Sequence, residues 1–176
     1  MQNKQAISEH LAQVRPWDAQ EAEDIAQAFR WLTNARKDRH FVVYNVVLNE
    51  SCTALLFVHH RATDLWLPCG GHIEPNETPS DAAARELREE LGIEPTPIDG
   101  KVFFVSISPG EEESLHVCLW LLFQTTCHLT LNIDHEELIA ANWFPRDALP
   151  VHASEPHLAR FIQKFDARRG TLQDSQ

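Results

Sequence analysis

Long apolar runs are missing from this chain. Nothing in its 176 residues approaches the roughly 20 consecutive apolar residues of a membrane span, so no membrane-crossing helix is expected. The first residues, MQNKQAISEHLAQ, lack the apolar core of a signal peptide, and the expected location is the cytoplasm. Cys52, Cys69, Cys118 and Cys127 form no C-x-x-C pair, which speaks against a zinc knuckle and for reduced thiols, some of them buried. Positive charge is scarce: 15 Lys and Arg stand against 26 Asp and Glu, a formal net charge of -11. That average field repels a long nucleic acid, and a small anionic ligand would need a local source of positive charge. Neither G-x-G-x-x-G nor G-x-x-x-x-G-K-[ST] occurs, so dinucleotide-binding and P-loop readings lose their main support. There is no internal repeat and no low-complexity tract.

What is present fits one domain with a sizeable core, since 43% of the residues are hydrophobic. Asp18 to Glu21 has capping-box spacing, and Ile25, Phe29 and Leu32 follow as an amphipathic stripe. This predicts a helical N-terminal segment packed on the main body, with scaffolding or a dimer contact as its role. From His40 the texture changes. HFVVYNVVL and CTALLFVHH read as two strands, with the turn Asn49 to Ser51 between them. KVFFVSIS and LHVCLWLLFQ are two more, separated by the loop Ser108 to Glu113, and NWFP ends another strand candidate. Near the C-terminus Leu158, Phe161, Ile162 and Phe165 recur at helical spacing, with Ser154 as the expected N-cap.

One stretch concentrates negative charge. GHIEPNETPSDAAARELREELGI, Gly71 to Ile93, holds six acidic residues. Thr78, Pro79 and Asp81 make a strong helix start and Gly92 a strong stop, which predicts a helix over 79–91. At about 100° per residue, Ala83, Ala84, Leu87 and Leu91 share the side that faces the core. Glu86, Glu89 and Glu90 stand at i, i+3 and i+4 on another side, where adjacent carboxylates repel one another. A bound cation would remove that conflict, and hard oxygen ligands suit magnesium or manganese. The plainer reading is a solvated face on which Arg85 and Glu89 form an i, i+4 pair.

The surrounding residues favour the metal. The stretch resembles the Nudix box, G-x5-E-x7-R-E-U-x-E-E-x-G-U with U a bulky aliphatic. Gly71, Glu77, Arg85, Glu86, Leu87, Glu89, Glu90, Gly92 and Ile93 fill every fixed position. The resemblance implies an α+β fold, a Nudix-type α/β/α sandwich with a mixed central sheet and an N-terminal helical extension. It implies an extension over 1–37, a hydrolase domain over 38–170 and a flexible tail over 171–176. The activity it implies is divalent-metal-dependent hydrolysis of a nucleoside diphosphate linked to another moiety, with water attacking a phosphorus. The alternative on the same fold is a module that senses a nucleotide without turning it over.

By the same resemblance Glu86, Glu89 and Glu90 bind the metal, with the main-chain carbonyl of Gly70 as a further ligand and Mg²⁺ or Mn²⁺ as the ion. The group that orients or deprotonates the water is one of these glutamates or a loop glutamate, and Glu89, Glu90 and Glu137 are the candidates. Glu137 has better spacing to Trp143 than Glu136, while Glu111, Glu112 and Glu113 read as a solvated loop. Glu77 and Arg85 take a supporting role as an ion pair that fixes the loop on the helix. Relatives often have proline where Cys69 stands, and Cys69 reads as a packing residue. Arg61 is the candidate phosphate contact and Trp66 or Phe104 the candidate base-stacking ring. His59, His60, His72 and His116 read as surface or hydrogen-bonding residues. The partner expected is a small nucleotide or nucleotide derivative, with no long nucleic acid and no membrane. The family is often dimeric, and the N-terminal helices offer an interface. Nucleoside triphosphates, dinucleoside polyphosphates and nucleotide sugars all stay open as substrates.

Overall fold

A computed structural model describes residues 3–34, 38–110 and 114–173, with side chains to residue 168. Helices α1 (Lys4–Gln13) and α2 (Ala19–Thr33) come first, followed by strands β1 (Arg39–Asn49), β2 (Ala54–His60) and β3 (Leu65–Leu67). Helix α3 (Pro79–Leu91) precedes β4 (Thr96–Pro109), β5 (Leu115–Thr125) and β6 (Leu138–Pro145). Two short 3-10 turns, Arg146–Ala148 and Val151–Ala153, lead to α4 (Leu158–Gln173). No described helix is long and apolar enough to cross a membrane.

The strands form one mixed sheet in the order β3-β2-β1-β5-β4, with β6 on β2. The β1–β5 pair is parallel and every other pair is antiparallel. Alternation along β1 sends Phe41, Val43 and Val47 to one face and Val42, Val46 and Leu48 to the other. The first face is covered by Ile7 and Leu11 of α1, Ala28 and Leu32 of α2, and Ala83, Leu87 and Leu91 of α3. The second is covered by Leu158, Phe161 and Phe165 of α4, with Phe161 stacked on Trp120 at 4.9 Å. This is the α/β/α sandwich expected, and the N-terminal helices pack on the main body as predicted.

One break in the sheet builds the site. β6 runs along one edge of β2 from Ala54 to His60. On the other edge β1 pairs only through Val47 and Leu48, and β3 takes over at Val58 to His60. The first half of β1 is thereby released to a different partner, the loop 69–73. Val43 N–H donates to the Gly71 carbonyl (2.9 Å), Asn45 N–H to that of Cys69 (2.8 Å), and Ile73 N–H to that of Phe41 (3.0 Å).

Helix α3 has the predicted bounds. The Thr78 side chain accepts from the Asp81 N–H, and Asp81 reciprocates at Thr78. Gly92 adopts the left-handed conformation (φ 66°), which lets Ile93 N–H reach back to the Leu87 carbonyl. Its buried side differs from the expected one. Ala82 is buried and Ala84 is exposed, and Glu86 and Glu90 are turned inward with Leu87 and Leu91.

Other details differ from the sequence reading. β4 begins at Thr96 rather than Lys101, because the Pro97 and Gly100 region pairs with β5 through a register shift. β3 escapes sequence reading because it is only three residues long. Ser154 does not cap α4, which starts at Leu158. Glu155 accepts from the His157 N–H (2.8 Å) instead, and the Ser154 backbone bridges to Trp66. α4 continues to Gln173, into the segment assigned to a tail, and 174–176 lie outside the described residues.

The N-terminal helices are fastened by charge as well as by apolar contact. Lys164 of α4 and Glu21 of α2 meet at 2.6 Å, both fully buried. The same Glu21 oxygen accepts from the Val105 N–H of β4 (3.2 Å), so the pair also occupies a donor on the outermost strand. Arg160 adds a fork onto Asp18 at 3.0 and 2.7 Å.

Candidate functional site

The loop 69–73 lies between β1 and α3, and its glycines are there for close approach. A Cβ at Gly70 would stand 1.9 Å from the Val43 carbonyl oxygen, and one at Gly71 would stand 2.4 Å from Glu86 Oε1. The carbonyls of Cys69 and Gly71 are bound to β1, and the Gly70 carbonyl between them takes no part in that ladder.

Arg85 organises the acidic side chains around this loop. Its Nε and Nη2 grip Glu77 at 2.9 and 3.0 Å, and Nη2 also donates to the His72 carbonyl at 2.9 Å. Nη1 bridges Glu86 (2.7 Å) and Glu89 (3.1 Å). Hydrogen bonding to Glu77 first, and to Glu86 and Glu89 after it, raises the Arg85 pKa further and keeps the guanidinium charged. Burial works to raise the Glu77 pKa, but the Arg85 hydrogen bond, the Glu74 N–H and the Arg85 charge together outweigh it and hold it below the usual range. The Glu77–Arg85 pair expected from the sequence is therefore formed.

Glu90 is in a different state. It is 3% exposed, and its Oε2 is buried without a hydrogen-bond partner. Burial first, then the nearby charges of Glu86 and Glu137, push its pKa up to about 8, against hydrogen bonds from Cys69 and the Gly70 backbone. Burial likewise raises Glu86. Glu89 remains mostly in solvent, its side chain 60% exposed.

Glu137 acts on both Glu86 and Glu90, although it comes from a distant segment. The last turn of α3 leaves carbonyls without intrahelical donors. Asn132 N–H takes that of Leu91 and Asp134 N–H takes that of Glu90, each at 2.9 Å. Arg61 then secures the rest of the loop. Its Nη2 donates to the carbonyls of His135 (3.1 Å) and Leu138 (3.3 Å), and its N–H donates to that of Glu137 (2.8 Å). Arg61 thus holds the Glu137 loop, where the sequence suggested a phosphate contact. Glu136 folds back locally, its N–H on Asp134.

Trp66 lies on β3 under His59, stacked at 4.8 Å, and shares no described contact with the carboxylates. Phe104 is fully buried against Trp120 and Phe161, which removes it as a stacking surface. Glu111, Glu112 and Glu113 lie outside the described residues. Two neighbours of Glu90 were not read as such from the sequence. Cys69 is buried with its thiol hydrogen-bonded to Glu90, and burial holds that thiol well above its usual pKa. Asn45, fully buried in β1, donates to the Ala83 carbonyl (3.2 Å) and bonds Cys69. A lone asparagine in VVYNVVL was the available signal.

A hard divalent cation suits this donor set. An unpartnered buried carboxylate oxygen, a second buried carboxylate, an exposed third and a backbone carbonyl outside the sheet ladder are all oxygen donors. Among the described residues no three His, Cys, Asp or Glu side chains form a ready-made cage. Glu86 and Glu89 are drawn instead to the Arg85 guanidinium.

A NUDIX domain model matches residues 38–165. The chain belongs to the Nudix family. A Nudix-family hydrolase from Clostridium perfringens superposes with a TM-score of 0.59 at 23% identity, covering 73% of this chain and 97% of that one. An Ap4A hydrolase of C. elegans superposes with a TM-score of 0.60 at 16% identity, covering 75% and 98%. At these identities the superpositions speak for the Nudix fold alone. Among curated proteins, an m7GpppN-mRNA hydrolase of Danio rerio is 29% identical over 121 residues, 57% of this chain and 40% of that protein. A CTP pyrophosphohydrolase of Escherichia coli K12 is 59% identical over 32 residues, 18% of this chain and 24% of that protein. The matched region is less than half the length of either curated relative.

Proposed function

We propose that this protein is a divalent-metal-dependent hydrolase of a nucleoside diphosphate linked to another moiety, with water attacking a phosphorus of the pyrophosphate. The observation that carries the reading is Glu90, a buried carboxylate with one oxygen unpartnered beside Glu86 and Glu137. Desolvation and like charge make that arrangement costly by itself, and a cation offsets both. Glu86, Glu89, Glu90 and the Gly70 carbonyl would hold Mg²⁺ or Mn²⁺. When bound, the ion supplies positive charge for an anionic substrate in an acidic protein, polarises phosphoryl oxygen and acidifies water.

The chain's own residues do the rest. Arg85 keeps Glu86 and Glu89 aimed at the loop and ties the loop to the helix through Glu77 and the His72 carbonyl. Glu137, on the segment secured by Arg61, accepts the proton of the attacking water. The new bond runs from water oxygen to phosphorus, and the bridging P–O bond breaks as the leaving phosphate departs. Glu89 and Glu90 complete the acidic set that orients that water. The names of similar proteins guide the choice of substrates. A capped nucleotide, Ap4A and CTP are the first compounds to try, with nucleotide sugars beside them.

The test is turnover of that panel with and without Mg²⁺, resolved by chromatography, in the native protein and in Glu89→Gln. The expected result is metal-dependent cleavage of one class, cut by about 100-fold or more in the variant. Unchanged turnover in Glu89→Gln would remove the metal assignment. No cleavage of any compound, with nucleotide binding retained, would point to the sensing module.

A further inference from the structure

Two buried side chains behind the loop 69–73 meet helix α3 along one line. Asn45 of β1 and Cys69 of the loop are antiparallel bridge partners, and the Asn45 N–H donates to the Cys69 carbonyl at 2.8 Å. Asn45 shares strand parity with Val43 and Val47, whose face of the sheet packs against α3. Cys69 belongs to the same core layer. Asn45 is fully buried and Cys69 is 1% exposed. The Asn45 amide donates to the Ala83 carbonyl at 3.2 Å, and the Cys69 thiol bonds Glu90. Ala83 and Glu90 are about two turns apart on one side of the helix. Gly71 lies against Glu86, one turn before Glu90, so strand and loop grip α3 at successive turns.

The hydrogen bonds in this group run in one direction. A thiol is both a weak donor and a weak acceptor. Asn45 Oδ1 is buried without a partner, so the thiol proton is not turned to it. The Asn45 amide nitrogen serves the sulfur, and the S–H points on to the Glu90 carboxylate. Glu90 also accepts from the Gly70 backbone, yet its Oε2 is left unpartnered. The carboxylate is thus held from the loop side while one oxygen stays available. An apolar side chain of similar size would fill the same space, and a proline would offer Glu90 no side-chain donor. The bond to Glu90 is what the thiol adds. Donors of this kind behind a metal ligand fix the ligand's orientation.

We propose that Cys69 is a positioning residue for the metal site: its thiol, oriented by Asn45, holds Glu90 in the geometry that leaves Oε2 for the cation. This rests on the metal-dependent reading above, and the experiment separates the two. The probe is Mn²⁺ alone, with binding followed by loss of the free-ion EPR signal. The proteins are the native chain, Cys69→Ala, Cys69→Val, Cys69→Ser and Glu90→Gln. Valine removes the donor but keeps the space filled, and serine restores a donor. The expected result is that Cys69→Ala and Cys69→Val bind Mn²⁺ about tenfold more weakly, the low end of the effect of removing a partner behind a metal ligand, while Cys69→Ser stays close to native. In the native protein, the infrared S–H stretching band that Cys69→Ser lacks should shift when Mg²⁺ is added, because the metal draws charge from the acceptor of that bond. Equal losses in the serine, alanine and valine variants would overturn the proposal by making the role one of shape, and so would an S–H band that Mg²⁺ leaves unmoved. Native affinity in Cys69→Ala and Cys69→Val, with binding lost in Glu90→Gln, would overturn it while leaving the metal reading intact. A sulfur-to-metal charge-transfer band with Co²⁺, absent in Cys69→Ser, would overturn it by making the thiol a ligand. A native protein that binds no Mn²⁺ would remove the metal reading and this proposal together.

Discussion

Gly70 and Gly71 are adjacent in sequence, yet adding one methyl group to each should have opposite consequences. At Gly70 the new Cβ would stand 1.9 Å from the Val43 carbonyl oxygen and 3.2 Å from Tyr44 Cα. Both obstacles are backbone of β1, which cannot swing aside, so the loop must lift by roughly an ångström to restore contact distance. That movement strains the hydrogen bonds from Val43 N–H and Asn45 N–H, at 2.9 and 2.8 Å. Two such bonds, with the desolvated groups they leave behind, put the cost of Gly70→Ala at about 2–4 kcal/mol. At Gly71 the Cβ would stand 2.4 Å from Glu86 Oε1 and 2.8 Å from its Cδ. Here the obstacle is the end of a flexible side chain. Glu86 rotates away and its contact with Arg85 is lost, but Arg85 keeps Glu77 and Glu89. The stability cost should be about 1 kcal/mol or less. The carboxylate, however, moves by roughly an ångström from its place beside the loop, a displacement that costs about 100-fold in rate. Urea unfolding followed by tryptophan fluorescence measures the first quantity, and metal-dependent turnover measures the second. The reasoning fails if Gly71→Ala is the less stable variant, or if it keeps turnover within a few-fold of the native protein.

Lys164→Met should destabilise the protein by about 3–5 kcal/mol, since it strands the buried Glu21 carboxylate. Adding Glu21→Gln should recover much of that loss in a double-mutant cycle, and a native urea midpoint for Lys164→Met alone would refute the role of the pair. Cys127 is exposed and Cys52, Cys69 and Cys118 are buried, so one thiol should react promptly with a thiol reagent in the folded protein and the other three only on unfolding. Burial also holds the Cys69 and Cys118 thiols well above their ordinary pKa, and early modification of either would contradict the packing. Hydrogen bonding from Arg160 lowers the Asp18 pKa from its ordinary 3.8. Its contribution is therefore present above that value and lost as pH falls through the lower, folded pKa. Asp18→Asn should flatten that acid limb, and an unchanged stability profile below pH 4 would count against it.

Much of the architecture was legible because it rests on local chemistry. The bounds of α3 follow from Thr78, Asp81 and Gly92, whose effects reach only a few residues. The strands and the Asn49 to Ser51 turn follow from side-chain period and turn chemistry in the same way. The Glu77–Arg85 pair was legible because both residues lie within one loop and helix. Tertiary structure decided the rest. Helical spacing makes Glu86, Glu89 and Glu90 neighbours, but only packing on β1 buries two of them and leaves the third in solvent. Glu137 is brought toward Glu90 because the open carbonyls at the end of α3 capture Asn132 and Asp134, contacts that span 41 and 44 residues of sequence. The deep burial of Lys164 depends on a partner more than 140 residues earlier. The rings of His40, His72 and His116 lie 5.0 to 5.8 Å apart only because β1 pairs in parallel with β5 while its other edge takes up the loop 69–73. Local interactions specify elements from a few neighbouring residues. Burial and long-range charge pairing are set only when those elements meet.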